Sequence, residues 1–197
     1  MRPAAYSSLI GLMALSLTAC ASKGSWMGAE KESAYDKEAA AVRMSAGMNN
    51  DDYFELMHDG RILVFADAKN YKAWLQTGEI AKSITKFRAG PNGEQVRFDV
   101  TSAESKAMEG LQGMKSGAQN LFEGNIPGLP TGFFGFIKRE NTYFVFDGWP
   151  KVMAFRANGT AEGATAAGPN GSQVVYVGAA SVPADLAKKF SDLHDGK

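Results

Sequence analysis

The chain repeats itself, and this constrains its fold more than any other feature. Residues 61–78, RILVFADAKNYKAWLQTG, align with residues 142–159, TYFVFDGWPKVMAFRANG, at an offset of 81. Val64 meets Val145, Phe65 meets Phe146, Ala73 meets Ala154 and Gly78 meets Gly159, while Trp74 meets Phe155. Further on, GPNGEQV at 90–96 and GPNGSQV at 168–174 agree at six of seven positions, at an offset of 78. A connection shorter by three residues after Gly159 reconciles the two offsets. Two ordered matches at almost one spacing point to internal duplication, so whatever the first copy forms the second should form too.

Each copy carries the same local signals. Tyr53–His58, Asp59-Gly60 and Arg61–Ala66 predict a β-hairpin, because Asp-Gly accepts the positive φ of a tight turn. Phe133–Arg139, Glu140-Asn141 and Thr142–Phe146 predict its counterpart. Ile62–Phe65 and Tyr143–Phe146 are apolar on both faces, as central strands are. Asp67 suits a helix N-cap and Gly78 its C-terminal stop. Asp147, Pro150 and Gly159 offer the same signals in the second copy. Each GPNG predicts a second hairpin turn. Val96, Phe98 and Val100 alternate with Gln95, Arg97 and Asp99, as in a half-exposed strand. Closing helices follow, one with the capping-box pair Thr101 and Glu104 and a stripe of Met108, Leu111 and Met114. The other carries Leu186, Phe190 and Leu193.

The expected unit is therefore ββαββα, used twice, over residues 53–115 and 132–194, with 116–131 as a linker. The expected fold class is α+β, with antiparallel sheets and helices on one face. Units of this size are marginal alone, so the two should pack as one domain with approximate twofold symmetry.

Composition narrows the function classes. Lys plus Arg is 21 and Asp plus Glu is 21 in 197 residues, which leaves no basic excess for nucleic acid. Two histidines and one cysteine cannot build the usual zinc sites, nor can one cysteine form an intrachain disulfide. No cofactor is implied.

The N-terminus reads as an address. Arg2 precedes an apolar run from Leu9 to Leu17, too short for a membrane span and of the length of a secretory signal. The residues that end it, Leu17-Thr18-Ala19-Cys20, resemble the lipobox of bacterial lipoproteins. The resemblance covers only this segment. It implies cleavage of the signal peptide 1–19 and lipidation of Cys20, and several acyl chains there would anchor the protein to a membrane. By the sorting rule known for enterobacterial lipoproteins, Ala21 after the cysteine implies the outer membrane, with the remainder facing the periplasm. Loss of Arg2 leaves 20 basic and 21 acidic residues, a net charge of −1. Residues 20–29 read as a lipidated tether. Residues 30–50 read as an N-terminal helix, in which Tyr35, Ala39 and Val42 make a thin apolar stripe.

Motifs for catalysis are sparse. His58 stands at a hairpin tip and His194 near the C-terminus. No Gly-x-Ser-x-Gly, GxGxxG or P-loop occurs. Met44, Met48, Met57 and His58 lie close in sequence, and thioethers with an imidazole can bind Cu(I). The other signal is aromatic. Phe133, Phe134 and Phe136 sit beside Gly132 and Gly135, and Trp74 and Trp149 follow the central strands. They predict either a packed core or an apolar groove or partner face.

The expected function is that of a non-catalytic, membrane-anchored lipoprotein that binds a protein partner or an envelope component. A small-molecule or copper carrier is the alternative, and an envelope enzyme ranks third. Substituting Cys20→Ser should release the protein from the membrane fraction or block its maturation. Cell fractionation with intact-mass measurement checks this, and unchanged mass and location would refute the lipobox assignment.

Overall fold

The computed structural model describes residues 49–195, all within one compact unit. The signal peptide, the tether and all but the end of the expected N-terminal helix lie outside the described residues. The element order is β1 (Asp52–His58), β2 (Arg61–Phe65), α1 (Ala68–Thr77), β3 (Ser83–Lys86), β4 (Gln95–Asp99), α2 (Ser102–Gly110) and α3 (Gly117–Glu123). It continues with β5 (Phe134–Arg139), β6 (Thr142–Phe146), α4 (Trp149–Asn158), β7 (Gly163–Ala167), β8 (Gln173–Val177) and α5 (Ala184–His194).

The class is α+β, but the strands form one mixed sheet in the order β3-β4-β2-β1-β5-β6-β8-β7. The expectation of antiparallel sheets is corrected here. The hairpins β1–β2, β3–β4, β5–β6 and β7–β8 are antiparallel, whereas β2–β4, β6–β8 and the central β1–β5 pair are parallel. A helix and a strand intervene between β2 and β4, long enough for the crossover that parallel partners need. Registers agree closely across the sheet. Ile62 pairs with Val96 and Tyr143 with Val174, while Phe54 pairs with Phe65 and Gly135 with Phe146.

The helices cover both faces, not one. Tyr71 and Trp74 of α1 and Phe190 and Leu193 of α5 pack with Phe54, Phe65, Phe136 and Tyr143. Alternate residues of the same strands, among them Tyr53, Ile62, Val64 and Ile137, pack under Leu121 of α3 and Val152 and Phe155 of α4. Strands apolar on both sides require cover on both sides, and burying one side only would have left the other wet.

Local signals explain most element ends. Asp59 and Gly60 both take positive φ at the first hairpin turn. Asp67 accepts from Asn70 N at 2.7 Å, and Gly78 ends α1 in the left-handed region. The capping box of Thr101 and Glu104 opens α2. Asp147 does not cap α4: Gly148 occupies that position, and Asp147 instead pairs with Lys151 at 2.8 Å. The stripe of Met108, Leu111 and Met114 does not stay helical. Leu111 is extended, and Gly113 turns the chain at φ 84°. Inside the expected linker, Ser116 caps a further helix, α3, whose Ala118, Leu121 and Phe122 are buried.

Of the two glycines beside the phenylalanines, Gly135 has a packing role, whereas Gly132 has open space around it and a positive φ. A Cβ on Gly135 would lie 2.7 Å from the Tyr53 carbonyl oxygen and 3.2 Å from the Phe133 ring. A Cβ on Gly110 would meet nothing within 4 Å. Gly135→Ala should therefore cost about 1–3 kcal/mol by overpacking. Gly110→Ala should cost nothing, or stabilise by up to about 1 kcal/mol through helix propensity. Urea denaturation of both variants checks the contrast, and equal effects would refute the packing assignment.

Candidate functional site

Strand alternation places Tyr53 and Glu55 of β1 on the sheet face covered by α3 and α4. Glu55 is 1% exposed, a charged side chain in the middle of an apolar strand. Tyr53 Oη donates to Glu55 Oε2 at 2.5 Å. Arg139, at the end of β5, donates from Nη2 to Glu55 Oε1. Arg156 of α4 brings Nε to 3.8 Å from Oε2. It also donates from Nη1 to the Phe122 carbonyl of α3 at 2.8 Å, with its guanidinium 4.4 Å above the Phe122 ring. Burial and the Glu55 carboxylate push the Tyr53 hydroxyl well above the usual phenol range, so it remains a donor. One carboxylate thus accepts from two donors, Tyr53 and Arg139, and is linked to α4 and α3 through its ion pair with Arg156.

Two adjoining cavities open beside this cluster. The inner one, about 200 Å³, is lined by Glu55, Ala89, Pro91, Phe122, Arg139 and Arg156. The outer one, about 450 Å³, shares Pro91 and Arg139 and has Met57, Ile62 and Phe144 as its apolar part. Its walls come from the first GPNG turn, through Asn92 and Glu94, and from Gly159 after α4. Glu94 turns its carboxylate onto that turn, accepting from Asn92 N at 2.8 Å and Asn92 Nδ2 at 2.9 Å.

The aromatic residues singled out in the sequence do not converge on this cleft. Phe133 and Trp149 belong to the core under α3 and α4, and Phe134, Phe136 and Trp74 to the core under α1 and α5. All five are buried, so they line no common groove. Met57 and His58 project from opposite faces. Met57 lines the outer cavity, while the His58 ring packs against Trp74 at 5.3 Å. Met44 and Met48 lie outside the described residues, as does Cys20. Among the described residues no group of three His, Cys, Asp or Glu is placed to hold a metal ion.

His194 is tied to the core by its hydrogen bonds and also lines a cavity of about 600 Å³ beside α5. Its Nδ1 sits 2.8 Å from the Phe190 carbonyl, which only a ring N–H can satisfy. Nε2 then accepts from Tyr71 Oη at 3.1 Å. The neighbouring Ser191 hydroxyl donates to Asp195, not to the imidazole.

Sequence reasoning missed Glu55 and both arginines. Glu55 interrupts the apolar run of β1, and that interruption is the signal that could have flagged it. Arg139 and Arg156 look like ordinary surface residues until the sheet brings them to Glu55.

Two buried or half-buried carboxyl groups, Asp99 and Asp52, lie at the opposite end of the sheet. Asp99 was expected on the exposed side of β4 but is 1% exposed, accepting from Ala66 N at 3.1 Å and Asn70 Nδ2 at 3.0 Å. Burial, outweighing those two bonds, pushes its carboxyl up to about 7. Burial and the adjacent Asp51 raise Asp52 to about 7 as well. Burial also acts to raise Glu123, but Lys86, Lys115 and Gln119 prevail and hold it down at about 2.

No family model, curated protein or solved structure matches this chain.

The raised groups set a pH dependence. The stability that Asp99 and Asp52 confer is complete below the ordinary value of 3.8 and is lost as pH rises through about 7. Glu123 acts in the opposite sense, and only below its ordinary 4.5. Stability should therefore fall between about pH 4 and 7, and Asp99→Asn, which stays neutral, should flatten the fall. Denaturation midpoints at three pH values in that window check this, and an unchanged slope would refute it.

Proposed function

We propose that this chain is a lipid-anchored protein of the bacterial cell envelope, held at Cys20 in the outer membrane, as Ala21 implies by the enterobacterial sorting rule, and facing the periplasm. Its globular part is a tandem duplication of a ββαββα unit that binds a protein partner or an envelope component without converting it. The lipobox supports the anchor, and no helix among the described residues is long and apolar enough to cross a membrane. The registers support the duplication. Adding the sequence offsets of 81 and 78 to the pair Ile62–Val96 gives the pair Tyr143–Val174.

The observation that carries the binding reading is the cleft beside Glu55. It is open and partly apolar, and its buried carboxylate, Glu55, is already engaged by Tyr53 and Arg139. Such a site can hold a ligand, whereas acid–base chemistry needs a group poised for transfer. Its size, about 450 Å³, also favours the second reading, a small-molecule carrier, because it falls within the range of small-ligand pockets. Copper is not proposed, since Met57 and His58 face apart.

A photoreactive diazirine residue at Met57, in the cleft, tests the reading in intact envelopes. Met153, similarly exposed on α4, serves as the control position. Crosslinks at 57 and not at 153 are expected. A protein-sized adduct favours a partner, and a small mass increment favours a carrier. Equal labelling at both positions would count against the cleft.

A further inference from the structure

We propose that the cleft recognises a carboxylate carried on an apolar stem, with Arg139 and Arg156 as the receiving groups. This rests on the reading of the cleft as a binding site and names the chemistry of its ligand.

Charge is the first ground. One carboxylate, Glu55, serves two guanidinium groups, so the lining of the inner cavity carries a net positive charge of one, with Glu94 facing Arg139 from the outer rim. Hydrogen bonding is the second. Among the described residues Arg139 donates to Glu55 alone, from a single nitrogen. Its side chain is 39% exposed, and that of Arg156 is 23% exposed. Both line the inner cavity, so unused N–H groups border the same space. A guanidinium edge with two free donors matches a planar carboxylate.

The stem follows from the outer cavity, which continues from Arg139 over Met57, Ile62 and Phe144. A bare inorganic anion would leave that surface wet. A dianionic phosphate exceeds the single available charge, and Glu94 and Glu140 at the rim oppose a second one. An amine head group would meet the arginines and be repelled.

The other face has a cavity of about 600 Å³ beside α5, but none at the equivalent point of the sheet. Under the proposed duplication, Glu55 corresponds to Phe136, Arg139 to His58 and Arg156 to Leu75. Phe136 is fully buried there, stacked at 5.0 Å on Phe54 and edge-on to Tyr71 and Tyr143. The buried carboxylate with its two arginines belongs to one face only.

The test is calorimetric titration of the full-length chain in detergent with octanoate, octanol and octylammonium. A second arm uses N-acetyl-leucyl-phenylalanine as free acid and as amide. Binding of octanoate or of the free-acid peptide is expected, at least about tenfold tighter than of the uncharged counterpart. The tighter of the two distinguishes a fatty acid from a peptide C-terminus. Arg139→Gln should weaken binding by about tenfold or more. Glu55→Gln removes the competing carboxylate and should tighten it, a change that loss of folding cannot mimic. Absence of carboxylate binding up to about 10 mM, equal affinity for octanol, or weaker binding by Glu55→Gln would overturn the proposal. A crosslink at Met57 in envelopes without any carboxylate preference overturns it while leaving the binding-module reading in place.

Discussion

The parallel pairing of β1 with β5 is the contact on which the rest of the sheet depends. It joins the hairpin β1–β2 to the hairpin β5–β6, and every other strand is added outward from these four. The pairing sets Tyr53 against Gly135 and Phe54 against Phe136. At Gly135 the missing side chain lets the Phe133 ring lie over the strand, where it meets Trp149 edge-on at 5.8 Å. Trp149 in turn meets Tyr53 edge-on at 5.4 Å. The glycine thus exchanges a side chain of its own for a three-ring contact that fastens α4 to the central strands. Such contacts add about 0.5–1.5 kcal/mol each beyond the area they bury.

Parallel central strands also dictate where the helices go. Two like units whose first strands pair in parallel can be related only by an axis running along the strands. Such an axis exchanges the two faces of the sheet, so equivalent helices must lie on opposite sides. Under the proposed duplication α1 and α4 are equivalent, and they do lie on opposite sides. An antiparallel central pair would have put both on one side, the arrangement that the sequence suggested. The choice of one strand pairing therefore decides the layer architecture of the whole domain.

Much of this fold was legible because it rests on short-range chemistry. Asp59-Gly60, the Asp67 cap, Gly78 and the capping box of Thr101 and Glu104 act within a few residues, and all take the expected roles. The helix α3 was missed: Gly117 and Gly124 made the stretch resemble a linker and masked Ser116 and Gln119 at cap spacing before Leu121 and Phe122. What sequence could not supply was partnership across distance. Asp99 is buried because Ala66 and Asn70, far away in the chain, come to its oxygens. The aromatic residues were correctly noticed as unusual, but strand alternation divides Phe133 from Phe134 and sends them to different cores. Glu55 and Arg139 are separated by 84 positions and meet only through the β1–β5 register.

Glu55 is the one place where that register brings charge rather than hydrocarbon into the interior. Burying an ion costs several kcal/mol, and replacing a buried ion pair with apolar side chains is often neutral or stabilising. Under the proposed duplication the corresponding position has the apolar solution, with Phe136 packed among other rings. The same backbone therefore accommodates a filled core at this point, and stability alone does not require the carboxylate. Glu55 pairs with two guanidinium groups at the wall of a cavity. Its cost in stability is then best understood as the cost of keeping charge and space together on one face of the sheet.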